Sequence, residues 1–243
     1  MAVSVFDIFK VGIGPSSSHT MGPMAAAVQF CEDLSAQLDS KEDLRIVVDL
    51  FGSLALTGKG HGTDKAVQWG LCGFTAECLP LDQSENILSE ALKTNRLNFR
   101  EEFSFDLNPK EDIRFLRNQS LDRHPNAMRF TALQNNKELT SEIFYSLGGG
   151  FIISEKESSK DYISTPLEIP FPYKSGDELL QICVNEGMSI SSIVMANEFC
   201  FRDAKKTENY LSKVWEVMQA CIDRGGQSDG IVRGGVKVKR KTA

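Results

Sequence analysis

The sequence predicts an α+β fold, in which an N-terminal domain of mixed strands and helices precedes an incomplete helical segment. Apolar residues recur at helical spacing in several stretches, and short β-branched or alternating runs separate these stretches in the first part of the chain. After a proline-containing stretch only helical spacing follows. These patterns divide the chain into a first domain over residues 1–153, a linker over 154–176 and a helical segment over 177–243.

Composition restricts the classes of function that the chain can have. The chain has 243 residues and a formal charge of −6, and its pI is near 5.2, so its overall charge does not indicate a nucleic-acid partner. No apolar run reaches the roughly 20 residues that a membrane-spanning helix needs, and the first residues lack the basic region of a signal peptide. We therefore expect a cytoplasmic protein with no membrane partner. The six cysteines form no CxxC pair and no zinc spacing, which predicts reduced, mostly structural thiols.

The stretch Gly14–Thr20 concentrates hydrogen-bond donors just before a helical pattern. It contains three consecutive serines, a histidine and a threonine. A helix start has free N–H groups and a positive dipole end, and the added hydroxyls suit a carboxylate or phosphate. The alternative is that Ser18 or Thr20 simply caps the helix, with Pro23 in its first turn. Because one cap needs one hydroxyl and four are present, we favour a small-anion site.

The first helix, the first strand and a glycine-rich stretch follow in order. Helical spacing of apolar residues from Met24 onward predicts a helix that ends near Asp39–Ser40. The β-branched run Leu44–Phe51 is too short for a helix and predicts a strand. The stretch Gly52–Asp64 holds four glycines and His61, and we predict a loop there. Thr63 or Asp64 would then cap a short helix.

Further strands and one helix complete the first domain. Alternation of apolar and polar residues predicts a hairpin after His124, with its turn at Asn135–Asn136 and a return strand that ends in three glycines. Those glycines, Gly148–Gly150, are either an amide nest or a bend at the strand end. The other predicted elements are a strand at Phe74–Leu79, a helix at Glu85–Thr94, and strands at Phe103–Leu107 and Ile113–Arg117.

The C-terminal part of the chain has a different pattern. Charged residues and prolines over 154–176 predict a linker, and apolar stripes after it predict helices that are too few to close a core. The last clear stripe, Leu211–Ile222, is expected to end at Gly225–Gly226. The basic end, Arg233–Lys241, is either a nucleic-acid tail or the start of a further domain.

All three histidines of the chain lie in stretches rich in glycine, serine or proline. His19, His61 and His124 each have hydroxyl-bearing or amide neighbours, and this arrangement predicts a polar cleft. A zinc site made of histidines alone is the alternative, but the sequence has no HxxxH or HExxH pattern and no acidic partner at ligand spacing. Acid–base catalysis or carboxylate binding therefore fits better. No nucleophile motif and no phosphate-binding loop is present.

Four long motifs of the chain strongly resemble a known family, the iron–sulfur-dependent, pyridoxal-independent L-serine dehydratases. The resemblance extends over the whole chain and implies a β domain similar to the allosteric substrate-binding domain of phosphoglycerate dehydrogenases, followed by a linker and the start of a catalytic α domain. The motifs are Ser4–Thr20, Gly52–His61, Tyr145–Phe151 and Met218–Gly225.

The resemblance also implies an activity, a cofactor and a set of site residues. Such enzymes convert L-serine to pyruvate and ammonia with a [4Fe–4S] cluster, whose iron assists loss of the hydroxyl while a base removes the α-proton. His61 and His124 become the candidates for the base, with no choice between them. The residues that would line the substrate cleft are Ser16, Ser17, Ser18, His19, Thr20, Thr63 and Asn126.

The resemblance leaves the cluster outside this chain. None of the six cysteines matches the family's cluster positions, so we expect the ligands beyond residue 243 and no turnover from the chain alone. The implied partners are L-serine and, in a homodimer, a second copy of the chain. Two alternatives stay open: a non-catalytic regulatory module that binds serine or another small anion, and an obligate subunit that meets a separate cluster-bearing chain.

Overall fold

The computed structural model describes residues 4–38, 40–158, 168–227, 229–231 and 239–240. They belong to two compact units. The sheet unit comprises 12–158 together with 229–231 and 239–240, and the helical unit comprises 4–11 and 168–227. The predicted α+β class, with a sheet followed by helices, is confirmed. Part of the predicted linker and most of the basic end lie outside the described residues.

The regular elements of the described residues are named here in chain order. The helices are α1 (Val5–Ile8), α2 (Gly22–Ser35), α3 (Gly52–His61), α4 (Thr63–Leu71), α5 (Ser84–Thr94), α6 (Glu155–Ser158), α7 (Gly176–Glu186), α8 (Ile190–Glu198) and α9 (Ala204–Gln227). The strands are β1 (Leu44–Phe51), β2 (Arg96–Phe99), β3 (Phe103–Asp106), β4 (Ile113–Leu116), β5 (Ala127–Gln134), β6 (Lys137–Gly148), β7 (Phe151–Ser154), β8 (Gly230–Ile231) and β9 (Lys239–Arg240).

A seven-stranded mixed sheet organises the sheet unit, and β1 lies at its centre. The strand order is β2-β3-β1-β5-β6-β7, and β4 also pairs with β1. β1 runs parallel to β3 and β4 and antiparallel to β5. Its β-branched and apolar residues suit this position, because most of β1 is buried on both faces of the sheet.

The main core lies between α2 and one face of the sheet. Phe30 of α2 stacks on Phe130 of β5 with ring centroids 5.3 Å apart, and both side chains are buried. Full burial of one such side chain contributes about 1.5–3 kcal/mol of transfer free energy. α2 ends at Ser35, earlier than predicted, because the Gln37 amide N–H donates to the Leu34 carbonyl in a tighter turn. Leu38 packs against the core from that turn.

The predicted glycine-rich loop is wrong, because Gly52–His61 is the helix α3. The glycines of this stretch let α3 pack closely against α4 and let the chain reverse between the two helices. A Cβ atom on Gly58 would lie 2.8 Å from Thr63 Oγ1, so a glycine lets α3 approach α4. Gly62, with φ +66°, separates the two helices. It occupies the N-cap of α4, and neither Thr63 nor Asp64 caps that helix.

The predicted strand at Phe74–Leu79 is also wrong, whereas the other strands and helix predicted in the first domain are confirmed. Residues 74–79 form turns and irregular structure. The Thr75 amide and hydroxyl both donate to Cys78 Sγ, at 3.1 and 3.2 Å, and these local bonds favour a turn. The hairpin turn at Asn135–Asn136 has positive φ at both residues, as a tight β-hairpin requires.

In the helical unit, a buried carboxylate holds α1. Glu198 accepts hydrogen bonds from the Ser4 hydroxyl at 2.7 Å, the Val5 amide at 2.9 Å and Arg202 at 2.6 Å. Arg202 also lies over the Phe6 ring, 3.8 Å from its centroid. Because these groups satisfy one another, the carboxylate is stable although it is almost fully buried.

The long helix α9 differs from the prediction at its end. It continues through Gly225–Gly226 to Gln227, because glycine inside an exposed helix costs only about 1 kcal/mol and does not by itself reverse the chain. Trp215 and Ile222 on its apolar stripe are 54% and 65% exposed. Among the described residues no single helix is long and apolar enough to cross a membrane; α7 and α8 meet that test only as a pair bent by 97°.

Candidate functional site

The serine-rich motif forms a π-helical turn, Ser17–Met21, that leads directly into α2. Neither Ser18 nor Thr20 caps this turn or α2, so the alternative prediction of a simple helix cap is wrong. Ser16 caps the π-helical turn, since its hydroxyl accepts a hydrogen bond from the His19 amide at 3.2 Å. Gly22 follows, where a Cβ atom would lie 2.0 Å from Ser146 Oγ. Glycine therefore lets the turn lie against β6.

The His19 ring is held by a hydroxyl at each nitrogen. Ser18 Oγ lies 2.9 Å from Nδ1, and Ser53 Oγ lies 3.0 Å from Nε2. A hydroxyl can donate or accept, so this pair fits either neutral tautomer of the ring. Sequence reasoning missed Ser53, which lies in the first turn of α3. The sequence predicted a loop at Gly52–Asp64, so Ser53 was not expected to face His19 from a helix.

His19 and His61 are neighbours, with ring centroids 4.8 Å apart. Two threonines connect the segments that carry them. The Thr20 hydroxyl donates to the His61 carbonyl at 2.9 Å, and the Thr63 hydroxyl donates to the His19 carbonyl at 2.5 Å. Both threonines are buried. The predicted site residues Thr20 and Thr63 therefore position the two histidines, because each has committed its hydroxyl proton to a backbone carbonyl.

The hydrogen bond of His61 identifies its neutral tautomer. Nδ1 lies 3.0 Å from the Thr57 carbonyl oxygen. A carbonyl can only accept, so Nδ1 carries the proton and Nε2 keeps a lone pair when the ring is neutral. His61 lines a cavity of about 350 Å³ together with Pro15, Lys59 and Trp69. The structure thus combines a proton-accepting imidazole with a space for a small molecule.

The pKa of His19 is lower than the usual value of a histidine. Burial is the largest cause, because a charged imidazole loses solvation inside the protein, and the neighbouring His61 adds charge repulsion. His19 is therefore neutral near pH 7. A neutral His19 allows His61 to accept a proton without two positive charges lying side by side.

The third histidine, His124, has a different hydrogen bond. Its Nδ1 accepts from the Asn126 amide at 3.1 Å, so the neutral ring carries its proton on Nε2. Asn126 is connected to the serine motif through Ser146. The Asn126 side-chain amide donates to the Ser146 carbonyl, and the Ser146 hydroxyl donates to the Ser18 carbonyl at 2.8 Å. In the described residues, the hydrogen bond of the His124 ring goes to Asn126 and not to His19 or His61.

The glycine run between β6 and β7 forms the turn of that hairpin. Gly148, Gly149 and Gly150 have φ values of 99°, 61° and 79°, a region that favours glycine. The Gly149 amide donates to Ser17 Oγ at 3.2 Å. Both alternatives from the sequence are thus partly met: the run is a bend at the strand end, and one of its amides contacts the serine motif.

The described residues do not fit an iron–sulfur cluster. No group of three or more histidine, cysteine or acidic side chains among them could hold a metal ion. The six cysteines are free, and Cys78, Cys200 and Cys221 are exposed. Burial raises the pKa of Cys31, and it raises the pKa of Cys72 to about 12, which opposes the thiolate form that a cluster ligand needs.

Comparison with known proteins identifies relatives along the whole chain. The family described as serine dehydratase beta chain matches residues 4–157. L-serine dehydratase 2 of Escherichia coli strain K12 is 41% identical over 99% of this chain and 53% of its own length. L-serine dehydratase 1 of the same strain is 39% identical with the same coverage. The enzyme named L-serine dehydratase of Streptomyces coelicolor is 38% identical over 100% of this chain and 54% of its own length.

Two conclusions follow from these matches. The chain spans about half the length of the curated relatives that it matches. The family model covers well over half of the chain, including the serine-rich turn, all three histidines and the glycine run. The chain therefore belongs to the serine dehydratase beta chain family.

Proposed function

We propose that this chain is part of an L-serine ammonia-lyase, which converts L-serine to pyruvate and ammonia. The names of its relatives support this substrate and reaction. The observation that carries the proposal is that His61 lines the cavity and has an available Nε2 lone pair, while the neighbouring His19 stays neutral. Removal of a proton from the α-carbon needs such a base close to the substrate.

His61 is the base in this proposal. Its Nε2 takes the α-proton, and the Thr57 carbonyl then stabilises the imidazolium through the Nδ1 hydrogen bond. The β-hydroxyl leaves as water with the proton that His61 has gained, which yields aminoacrylate and returns His61 to its neutral form. Aminoacrylate becomes the imine by moving a proton to carbon, and water then converts the imine to pyruvate and ammonia.

His124 suits a different role. The Asn126 amide already occupies its Nδ1 lone pair, so the neutral ring offers a proton at Nε2 and no free lone pair. We therefore propose His124 as a proton donor or a substrate-positioning group, and this hydrogen bond favours His61 over His124 as the base.

In this proposal, serine hydroxyls and lysine side chains near His61 bind the substrate. Ser16 and Ser18 are half-buried and Ser17 is exposed, so a small carboxylate can reach these hydroxyls. Lys59 and Lys65 line the same cavity as His61 and add positive charge. Thr20, Thr63 and Asn126 act through other residues, because their side-chain donors bind backbone carbonyls.

A [4Fe–4S] cluster remains part of this proposal for the whole enzyme. Because the described residues offer no ligand set, its ligands would have to come from outside this chain, and no step above depends on it. Cytoplasmic location and a homodimer stay predictions. The second candidate is a serine-sensing module without catalysis. One observation favours it: the described residues include no set of ligands for a cluster.

A reconstitution experiment separates the two candidates. The 243-residue chain is co-expressed anaerobically with the part of Escherichia coli L-serine dehydratase 2 that this chain does not match, and pyruvate formation from L-serine is measured. The lyase proposal expects pyruvate from the pair and none from either part alone. His61→Asn should lower the rate about 1,000-fold or more, because the base is lost, whereas Lys137→Gln on the β5–β6 hairpin is the matched control.

The outcomes have distinct meanings. Serine binding by the pair without pyruvate, in the presence of an intact cluster, would favour the regulatory module. A pair carrying His61→Asn that keeps the activity of the Lys137→Gln control would overturn the assignment of the base.

A further inference from the structure

A second cavity adjoins the one that contains His61. Its volume is about 560 Å³, and Lys59, Lys65 and Glu85 line both cavities. This volume lies within the range of small-molecule sites, roughly 300–1,000 Å³. Part of its wall is apolar and comes from Leu88 and Phe115. The sequence motifs and the proposed reaction leave this cavity without a role.

The charges along the wall are unequal. Four cationic side chains line the cavity against two carboxylates, although the chain as a whole carries a charge of −6. Two of the cations pair with the two carboxylates of the wall, Lys59 with Asp64 at 2.6 Å and Lys65 with Glu85 at 2.8 Å. The remaining cations are Lys110 and Arg114. The cavity wall is therefore positive in an acidic protein.

Arg114 is held in place by a buried carboxylate. Its Nε lies 2.6 Å from Asp49 Oδ1, and the other oxygen of Asp49 binds Arg129 at 2.7 Å. The Asp49 side chain is 2% exposed and that of Arg114 is 50% exposed. Two guanidinium groups thus share one carboxylate, which leaves an excess positive charge. The fixed Nε also reduces the entropy that Arg114 would lose on binding a ligand.

The terminal nitrogens of Arg114 are available for a ligand. Neither has a protein partner among the described residues, and Lys110 forms no ion pair within that part of the chain. A planar guanidinium with two free nitrogens binds a carboxylate through two parallel hydrogen bonds. The exposed Lys110 can add a second charge from the cavity rim.

We propose that this cavity is a separate binding site for a small organic carboxylate that has an apolar body. The carboxylate would bind Arg114 and Lys110, and the apolar body would lie against Leu88 and Phe115. Inorganic anions would use the charges but not the apolar wall. The site is distinct from the His61 cavity, and the proposal does not depend on the lyase activity.

Benzoate is a suitable probe, because it combines one carboxylate with an apolar ring. Its binding to the full 243-residue chain is measured by NMR chemical-shift changes, with benzamide as the uncharged analogue and inorganic phosphate as the anion without an apolar body. We expect benzoate to bind at least about tenfold more tightly than either analogue, as the loss of a charge contact or of apolar burial predicts. The largest shifts should lie at Leu88 and Phe115.

Two variants make the result specific. Lys110→Glu should weaken benzoate binding about five- to tenfold, since a cation at the rim becomes an anion, whereas Lys137→Glu, an equal charge change on the β5–β6 hairpin, should leave the affinity unchanged. His61→Asn should also leave it unchanged, which separates this site from the proposed catalytic one. Equal binding of benzamide, equal effects of the two lysine variants, or shifts confined to the His61 cavity would each overturn the proposal.

Discussion

At the scale of single residues, hydrogen-bond partners assign different roles to three chemically identical side chains. His61 binds a carbonyl through Nδ1, His124 binds an amide through Nδ1, and His19 contacts hydroxyls at both nitrogens. A carbonyl requires a proton on the ring nitrogen that it binds, and an amide requires a lone pair. These contacts leave a lone pair on Nε2 of a neutral His61, which is why we propose it as the base, and the sequence contains no information on them.

The pH behaviour of His19 is a test at this scale. Its pKa lies below the ordinary value of 6.5, first because of burial and then because of His61. A folded-state pKa below the unfolded value means that the unfolded chain binds more protons, so the free energy of unfolding should fall as pH decreases below about 6.5. The loss should level off below the folded-state pKa of His19.

An NMR titration of the His19 ring, combined with urea unfolding at several pH values, checks this prediction. His19→Gln removes the titrating group and should reduce the loss of stability in acid. A titration midpoint of His19 at or above the ordinary value would contradict the prediction.

At the scale of secondary structure, the junction of α3 and α4 shows why glycine content alone is ambiguous. Gly58 is buried in α3 because a side chain would collide with Thr63, whereas Gly62 provides a positive φ between the helices. The close packing at Gly58 and the chain reversal at Gly62 together place the His61 carbonyl within hydrogen-bond distance of the Thr20 hydroxyl. Close helix packing therefore builds this part of the site.

Gly58→Ala is the corresponding prediction. The new Cβ would lie 2.8 Å from Thr63 Oγ1 and 3.1 Å from the Phe115 ring, so we expect a loss of about 1–3 kcal/mol in the free energy of unfolding. The Thr63 hydrogen bond to His19 should weaken as well. Thermal and urea unfolding measure the loss, and NMR measures the change at His19.

Gly225→Ala in α9 is a matched control. The same substitution meets no atom within 4 Å there, and alanine is a better helix former, so it should stabilise the helix by up to about 1 kcal/mol. If both substitutions stabilised the protein equally, close packing at Gly58 would not be the reason for its glycine.

At the scale of the whole molecule, the start of the chain belongs to the helical unit, although the residues that follow it belong to the sheet unit. Glu198 makes this possible, because it binds Ser4 across 194 positions of sequence. Tyr210 adds a stacked contact with Phe6, with ring centroids 3.9 Å apart. The buried carboxylate and the aromatic stack together hold the first described residues in the helical unit.

Glu198→Gln should release this segment. An amide cannot accept the same set of hydrogen bonds, and Arg202 would lose its ion pair, so we expect a loss of about 1–3 kcal/mol. Hydrogen exchange of the Val5 and Phe6 amides, relative to an exposed control Glu216→Gln, measures the effect. Unchanged protection of these amides would show that the aromatic contacts alone hold the segment.

The sequence by itself determined the class of fold and most elements of the sheet unit. Alternating and helical apolar patterns predicted these elements because burial follows the two periodicities directly. The predicted serines, threonines and Asn126, together with His19 and His61, are connected by the hydrogen bonds of one site. Local composition was informative here because donor-rich stretches rarely lie in a core.

Only the tertiary structure decided which groups each side chain contacts. The hydroxyls of Thr20 and Thr63, which the sequence predicted to contact a ligand, bind backbone carbonyls, and Ser53 contacts His19. These partners come from distant parts of the chain. The glycines of α3 formed a helix where the sequence suggested a loop, since the space beside a glycine is set by its neighbour in the fold. Protonation of the histidines depends on the same long-range contacts, so no local pattern could have predicted it.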